Sequence, residues 1–424
     1  MTISKREFIR LSGATAAAAA FGTATASEGE SKDVATELQP ITGDAVPISV
    51  DERLARVAKA QKLMTQLNID AILIEPGSAM LYFSGISWWR SERLTALVIP
   101  REGEIAVVTP YFEEPSVRES MTFGADVRTW HEHKDPFVRV AEVLRDRGFR
   151  RGRIGFESTV RYFAADGMRR AAPEFEIVSA VPVTQGCRMY KSSAEIALMK
   201  KANEVTLRAY EHVYRGLDKG MRPADVKALM RNAQASLGGS GIWNMALFGP
   251  ASAYPHGTSS EQQIEDGQIV LMDCGCSVHG YQSDISRTFV YGEPSKRQRE
   301  VWSTVRKGQQ IAFEAAQPGE PAGKVDDAVR SYYESLGYGP DYATPGLSHR
   351  TGHGIGMDGH ESVNFVRGET TALRKGMCFS NEPGIYVFGE FGVRLEDCIY
   401  MTADGPAWFT VPPDSLDAPI GRLG

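Results

Sequence analysis

Between residues 51 and 67, Leu54, Val57, Ala58, Leu63 and Leu67 recur at helical spacing, and apolar runs follow at residues 71–74, 95–99 and 105–108. The runs are too short for helices and read as buried strands. Helical periodicity returns near residues 136–148 and 158–171. Helices alternating with short strands predict an α/β domain over residues 51–182. Residues 27–50 are polar, carry Gly and Pro and keep no period, so they read as a linker or N-terminal arm.

The second half changes character. Ser192 and Glu195 have the spacing of a capping box ahead of Ile196, Met199 and Ala202, which predicts a long helix. A second helix starts near Pro223. Strand-like runs follow at 269–272 and 288–291, then helical patterns near 295–316 and 323–335, and strands around 377–382, 392–401 and 407–411. Helices that precede and separate mainly antiparallel strands predict an α+β domain over residues 183–424. No long internal repeat is visible.

A chain of 424 residues with 42% hydrophobic content is long enough for two domains and a large core. Its formal charge of -6 argues against a nucleic-acid partner, which would call for a basic face; small or peptide substrates fit better. Ser4-Lys5-Arg6-Glu7-Phe8-Ile9-Arg10, a weakly apolar stretch and Ala24-Thr25-Ala26 have the form of a twin-arginine export signal over residues 1–26, with Lys in place of the first Arg. The apolar part is too short for a membrane span. Cleavage after Ala26 would remove Lys5, Arg6 and Arg10 against Glu7 and bring the charge to about -8. The expected location is therefore the periplasm or beyond, with no membrane contact for the mature chain. The five cysteines are odd in number and lack framework spacing, so a disulfide scaffold is excluded. Buried thiols are the default, and a bridge between Cys378 and Cys398 across adjacent strands stays open.

The chemistry lies in scattered acids and histidines. Asp273 ends the apolar run Ile-Val-Leu-Met, and Asp284 follows eleven residues later in Ser-Asp-Ile-Ser-Arg-Thr. A turn at His279-Gly280 would bring the two carboxylates to one end of a strand pair. His349, His353 and His360 fall within twelve residues of a glycine-rich segment, out of eight histidines in the chain. Glu382 precedes a Pro-Gly turn. Glu396 sits in the otherwise apolar strand Gly-Val-Arg-Leu-Glu-Asp, where burial calls for a cation or a hydrogen-bonded partner. Asp273, Asp284, His353, Glu382 and Glu396 make an oxygen-rich donor set with one imidazole, suited to Mn, Co, Fe or Zn.

With these motifs in order, the chain resembles the pita-bread-fold metallopeptidases, which include Xaa-Pro dipeptidase (prolidase), aminopeptidase P, methionine aminopeptidase and creatinase, and is most like bacterial Xaa-Pro dipeptidase. The resemblance runs from Asp51 to Val411. It implies a creatinase-type N-terminal domain and a pita-bread catalytic domain that binds two divalent metal ions, Mn first among them. Asp273 would chelate one ion, Asp284 and Glu396 would bridge both, and His353 and Glu382 would complete the second. A metal-bridging hydroxide would then attack Xaa-Pro bonds of dipeptides or short peptides, with Glu382 as general base. His256 and His360 would stabilise the oxyanion or leaving group, and His349 and Arg394 would hold the substrate's carboxyl end. The resemblance further implies a homodimer in which Trp88, Trp89 and Arg90 reach a partner's site; a proline ring suits flat aromatics and a carboxylate suits arginine.

Two departures bear on the substrate. Glu361-Ser362-Val363-Asn364 lacks the proline that many members carry after His-Glu, so the pocket wall there is expected to differ. The dimethylsulfoniopropionate lyase branch of this architecture has a further aspartate two residues after the first ligand; Gly275 stands there in this chain, which ranks peptidase above lyase. Creatinase-like members lose metal ligands, and some pita-bread domains are ligand-depleted binding modules for peptides or histones; the filled ligand set disfavours both.

Overall fold

The structure is a computed structural model that describes residues 38–424. The export signal expected at residues 1–26 and the first part of the arm lie outside the described residues. The remainder of the arm is packed: Leu38, Ile41 and Ala45 lie against the core, and the Ile41 amide donates to the Leu237 carbonyl at 3.0 Å.

The first half alternates as expected. It runs α1 (Val50–Leu67), β1 (Ala71–Ile74), α2 (Ser78–Ser84), β2 (Ala96–Pro100), β3 (Ala106–Pro110), α3 (Glu114–Ser120), β4 (Asp126–Trp130), α4 (Pro136–Asp146), β5 (Gly152–Phe156), α5 (Tyr162–Ala171), β6 (Phe175–Ser179) and α6 (Val181–Arg188). Six strands form one mixed sheet in the order β4-β3-β2-β1-β5-β6. β1, β2 and β3 are buried at every position and announce themselves as apolar runs. β4, β5 and β6 carry Asp126, Arg128, Arg153 and Glu176 on partly open faces, which hides them from an apolar-run reading. The boundary expected at 182/183 falls inside α6, which packs against α1.

α1 buries a different stripe from the one its leucines suggest. Leu54 and Leu67 stay exposed while Arg53, Arg56, Val57, Ala60 and Met64 are buried. Arg56 explains the exchange: its guanidinium donates to the Tyr82 carbonyl at 3.1 Å and to Tyr281 Oη at 3.0 Å, and it faces Glu195 at 3.4 Å. The helix thus docks on the second half of the chain through a satisfied buried cation.

That second half comprises α7 (Ser193–Arg215), α8 (Pro223–Ser236), β7 (Ser240–Phe248), β8 (Gln268–Val278), β9 (Tyr281–Gln282), β10 (Ile285–Tyr291), α9 (Lys296–Ala315), α10 (Gly323–Ser335), β11 (Gly352–Gly354), β12 (Glu361–Phe365), β13 (Cys378–Asn381), β14 (Gly384–Val387), β15 (Phe391–Arg394), β16 (Asp397–Met401), β17 (Pro406–Trp408), β18 (Thr410–Val411) and β19 (Arg422–Leu423). The capping box at Ser192 and Glu195 is formed in both directions. One antiparallel sheet has the order β10-β8-β7, with β9 on β8; another has the order β12-β11-β13-β16-β17. β8 continues five residues past Asp273, because β7 and β10 pair it on both sides, so Asp273 lies within the strand instead of ending it. The turn after β8 uses His279 and Gly280, both at positive φ, as a two-residue hairpin requires.

All five cysteines are free and buried. Cys378 pairs with Tyr400 and Cys398 with Ser380, so the two thiols sit diagonally on neighbouring strands and the bridge left open by the sequence does not form. No helix of the described residues is long and apolar enough to cross a membrane.

Candidate metal centre

The strands of the two second-half sheets carry acids to a common cavity. The Ser283 hydroxyl bonds Thr206 of α7 at 2.8 Å, which ties down the short link to β10 just before Asp284. Glu396 falls between β15 and β16, in a break of the expected single strand, and its amide donates to the Ser286 carbonyl at 3.1 Å. The fully buried pair Arg287–Asp397, at 2.7 Å, pins this break from behind, with Arg287 also donating to the Glu396 carbonyl at 2.8 Å. On the other sheet the His353 amide donates to Ser380 Oγ at 3.0 Å, and the Glu382 amide donates to the Thr351 carbonyl at 2.9 Å. Glycine is needed beside His353, because a Cβ at Gly352 would collide with the Ser380 carbonyl and one at Gly354 with that of Glu361.

One ligand atom each from Asp284, His353 and Glu396 lie within 4.8 Å of one another. His353 Nε2 is 3.3 Å from Glu382 Oε1 and 3.6 Å from Asp284 Oδ2. Asp273 lines the same cavity, held by Arg394 Nη2 at 2.6 Å. All five expected ligands are therefore brought together.

The arrangement carries an internal test for cations. His353 Nδ1 lies 3.0 Å from the Gly354 carbonyl, an acceptor, so Nδ1 carries the proton and Nε2 presents a lone pair. Burial, with the charges of His360 and Arg350, pushes this histidine down to about 3, so it is neutral. A bare lone pair thus faces two carboxylates, while Asp273 Oδ1, Asp284 Oδ1 and Glu396 Oε1 are buried without any hydrogen-bond partner. Burial and mutual repulsion raise the Asp284 and Glu396 carboxyls well above the usual range and lift Glu382 to about 7. Acceptors without donors in a buried space fit divalent cations, which satisfy several oxygens and an imidazole at once.

The cavity above the acids measures about 640 Å³ and has an apolar flank of Trp243, Met245, Tyr342 and Val366. His256 and His360 stand exposed on its wall, and neither ring has a hydrogen-bond partner among the described residues. The His360 ring meets that of His353 edge-on, with centroids 4.2 Å apart. Room for a further ligand two residues after Asp273 is absent: a Cβ at Gly275 would collide with the Ser283 carbonyl and the Trp243 indole.

Two expectations change. Arg394 lines the cavity, yet its Nε donates to Ser286 Oγ at 2.9 Å, its Nη1 to the Pro255 carbonyl and Tyr386 Oη, and its Nη2 to Asp273. With four of its five N–H groups engaged, it orients a candidate ligand and does not stand ready for a substrate carboxylate. His349 is likewise committed, with Nδ1 2.7 Å from the Arg350 carbonyl and Nε2 2.7 Å from Tyr386 Oη. Tyr386, absent from the sequence reading, joins the two, and its only local signal is a tyrosine after a Pro-Gly turn. Trp88, Trp89 and Arg90 do not line this cavity in the single chain. The two indoles stack at 4.5 Å, with Trp89 63% exposed, and Arg90 donates to the Pro76 carbonyl and Thr159.

Comparison with known proteins gives the same assignment. Residues 197–403 match the model of metallopeptidase family M24, and residues 56–190 match the creatinase/prolidase N-terminal domain. A Mycobacterium tuberculosis protein named Probable dipeptidase PepE is 34% identical over 356 residues, 82% of this chain and 92% of its own length. An Xaa-Pro dipeptidase of Lactobacillus delbrueckii subsp. lactis is 30% identical over 359 residues, covering 83% and 95%. The crystal structure of dipeptidase PepE from Mycobacterium ulcerans superposes with a TM-score of 0.81 at 31% identity, covering 87% of this chain and 98% of that one. The chain belongs to metallopeptidase family M24, as a pita-bread-fold metallo-exopeptidase of the prolidase and aminopeptidase P type with a creatinase-type N-terminal domain.

Proposed function

We propose that the protein uses two divalent metal ions, manganese first among the candidates, to cleave Xaa-Pro bonds of dipeptides or short peptides. The observation that carries this reading is the neutral His353 with its lone pair toward Asp284 and Glu382, beside three buried carboxylate oxygens without partners. Asp273, Asp284, His353, Glu382 and Glu396 would hold the ions. Bound there, two cations would supply Lewis acidity and an acidified water near neutral pH.

The chain's own groups do the rest. Glu382, with Oε1 3.3 Å from His353 Nε2, would take a proton from attacking water and return it to the leaving nitrogen. The free ring N–H groups of His256 and His360 would donate to the developing oxyanion or the departing amide. The apolar flank of Trp243, Met245, Tyr342 and Val366 would accept a proline ring and exclude water from the scissile bond. Relatives named Xaa-Pro dipeptidase support the proline preference. The lack of space at Gly275 speaks against the lyase alternative.

The deciding experiment sets Xaa-Pro dipeptides, Xaa-Pro-Yaa tripeptides, non-proline dipeptides and dimethylsulfoniopropionate against metal-reconstituted enzyme. Cleavage of Xaa-Pro dipeptides is expected. Release of only the first residue from tripeptides would shift the assignment to aminopeptidase P, and cleavage of dimethylsulfoniopropionate to acrylate and dimethyl sulfide as the sole activity would overturn it. The reading also includes export, supported by the pattern at residues 1–26, and a homodimer that puts Trp88, Trp89 and Arg90 at a partner's cavity. A mature chain beginning at Ser27 in the periplasm, and twice the chain mass by light scattering, are the expected outcomes.

A further inference from the structure

A second cavity of about 300 Å³ opens beside the first, at the seam between the first-half sheet and the catalytic strands. Arg350 and His360 line both. The carboxylates of the side cavity are already satisfied by the protein. Glu361 takes Arg188 at 2.5 Å and Lys191 at 2.9 Å, Asp358 takes Arg188 at 2.8 Å and Ser78 at 2.7 Å, and Glu157 takes the side chains of Ser158 and Thr159. Arg188 is consumed in the same network, and Arg394 in the main cavity is bound to Asp273. Arg350 differs: among the described residues its guanidinium has no hydrogen bond and no acid within salt-bridge distance. Its backbone, in contrast, is fixed on both sides. The His349 carbonyl accepts from Arg330 Nη2 at 2.6 Å, and Thr351 donates to Asp326 through its amide at 3.1 Å and its hydroxyl at 2.7 Å.

An unpaired guanidinium on a fixed backbone, at the junction of two cavities, is suited to receive an anion. We propose that Arg350 reads the free α-carboxylate of the substrate and so determines specificity for dipeptides over carboxyl-blocked or longer peptides. This rests on the peptidase reading above, and it reassigns the role that the family resemblance implied for His349 and Arg394. Asn364 also lines the side cavity, and its side-chain amide N–H groups would be the donors it could offer the same carboxylate.

The test compares each dipeptide with its C-terminal carboxamide, Ala-Pro and Ala-Leu being the first pairs, on wild type, Arg350→Gln and Arg350→Lys with metal restored. Calorimetric binding of L-proline and prolinamide runs in parallel. Wild type should favour the acid by about tenfold or more in kcat/KM and in affinity. R350Q should abolish that preference by raising KM for the acid, and R350K should restore part of it. The variants have no side-chain partner to lose, so their melting temperatures should match wild type. Equal acid-to-amide ratios in wild type and R350Q, or a wild type indifferent to the carboxylate, would overturn the assignment. Turnover of Ala-Leu but not Ala-Pro would sink the proline reading instead, while the carboxylate preference measured on Ala-Leu would still decide Arg350.

Discussion

Asp284 and Glu396 show how one buried oxygen decides a residue's role. Each has one oxygen without a donor among protein groups, and each lies in the cluster around His353 Nε2. Asp284→Ala or Glu396→Ala should therefore lose bound metal and turnover together; elemental analysis after desalting checks this, and retained full metal content would contradict their proposed role as ligands. Tyr386 makes the opposite prediction. Its hydroxyl donates to His349 Nε2 and accepts from Arg394, so Tyr386→Phe strands two buried groups while leaving every ligand in place. The expected outcome is a stability loss of about 1–3 kcal/mol in urea unfolding with unchanged metal stoichiometry.

At the scale of elements, β12 and the loop before it are clamped by Glu361. Its carboxylate accepts from the Met357 amide at 2.9 Å, the Asp358 amide at 3.2 Å, Arg188 and Lys191, which fixes the segment that presents His360. Burial alone would raise its pKa, but Lys191 and Arg188 outweigh that and hold it at about 2, against an ordinary 4.5. A depressed carboxyl contributes stability in full above pH 4.5 and loses it as the pH falls toward 2. Linkage makes the contribution about 3 kcal/mol. Unfolding curves of wild type and Glu361→Gln should thus differ by that order at pH 7 and converge as the pH is lowered below 4.5. A constant difference across that window would refute the clamp. The same scale shows where elements were legible. The capping box at Ser192 is a local signal and appears where the spacing placed it. β7 and β11 escaped notice, because β7 mixes Gly, Asn and Trp without clean alternation and β11 has only three residues; both are strands by virtue of their partners β8, β12 and β13.

For the whole molecule, the two halves meet through polar contacts as well as apolar packing. Arg56 reaches Tyr281 and Glu195, and Ser78 of α2 reaches Asp358 next to the site. The catalytic half stores repulsion in its cluster of acids, which bound cations would relieve. Metal added at about 100 times its dissociation constant should stabilise the chain by about 2.7 kcal/mol, seen as a concentration-dependent rise in melting temperature that chelator reverses. The response should vanish in Asp284→Ala, and an unchanged response there would place the stabilising ion elsewhere.

The sequence by itself determined the type of most long elements, the α/β and α+β halves, and which acids and histidine converge on the candidate centre. Those depend on periodicity, capping and motif, all of which are local. Only the tertiary structure decided that Arg394 and His349 are committed and Arg350 is not, since Arg394 meets Asp273 across 121 positions and His349 meets Tyr386 across 37. A side chain's availability is set by what stands within hydrogen-bond reach of it, and that distance is fixed by the fold.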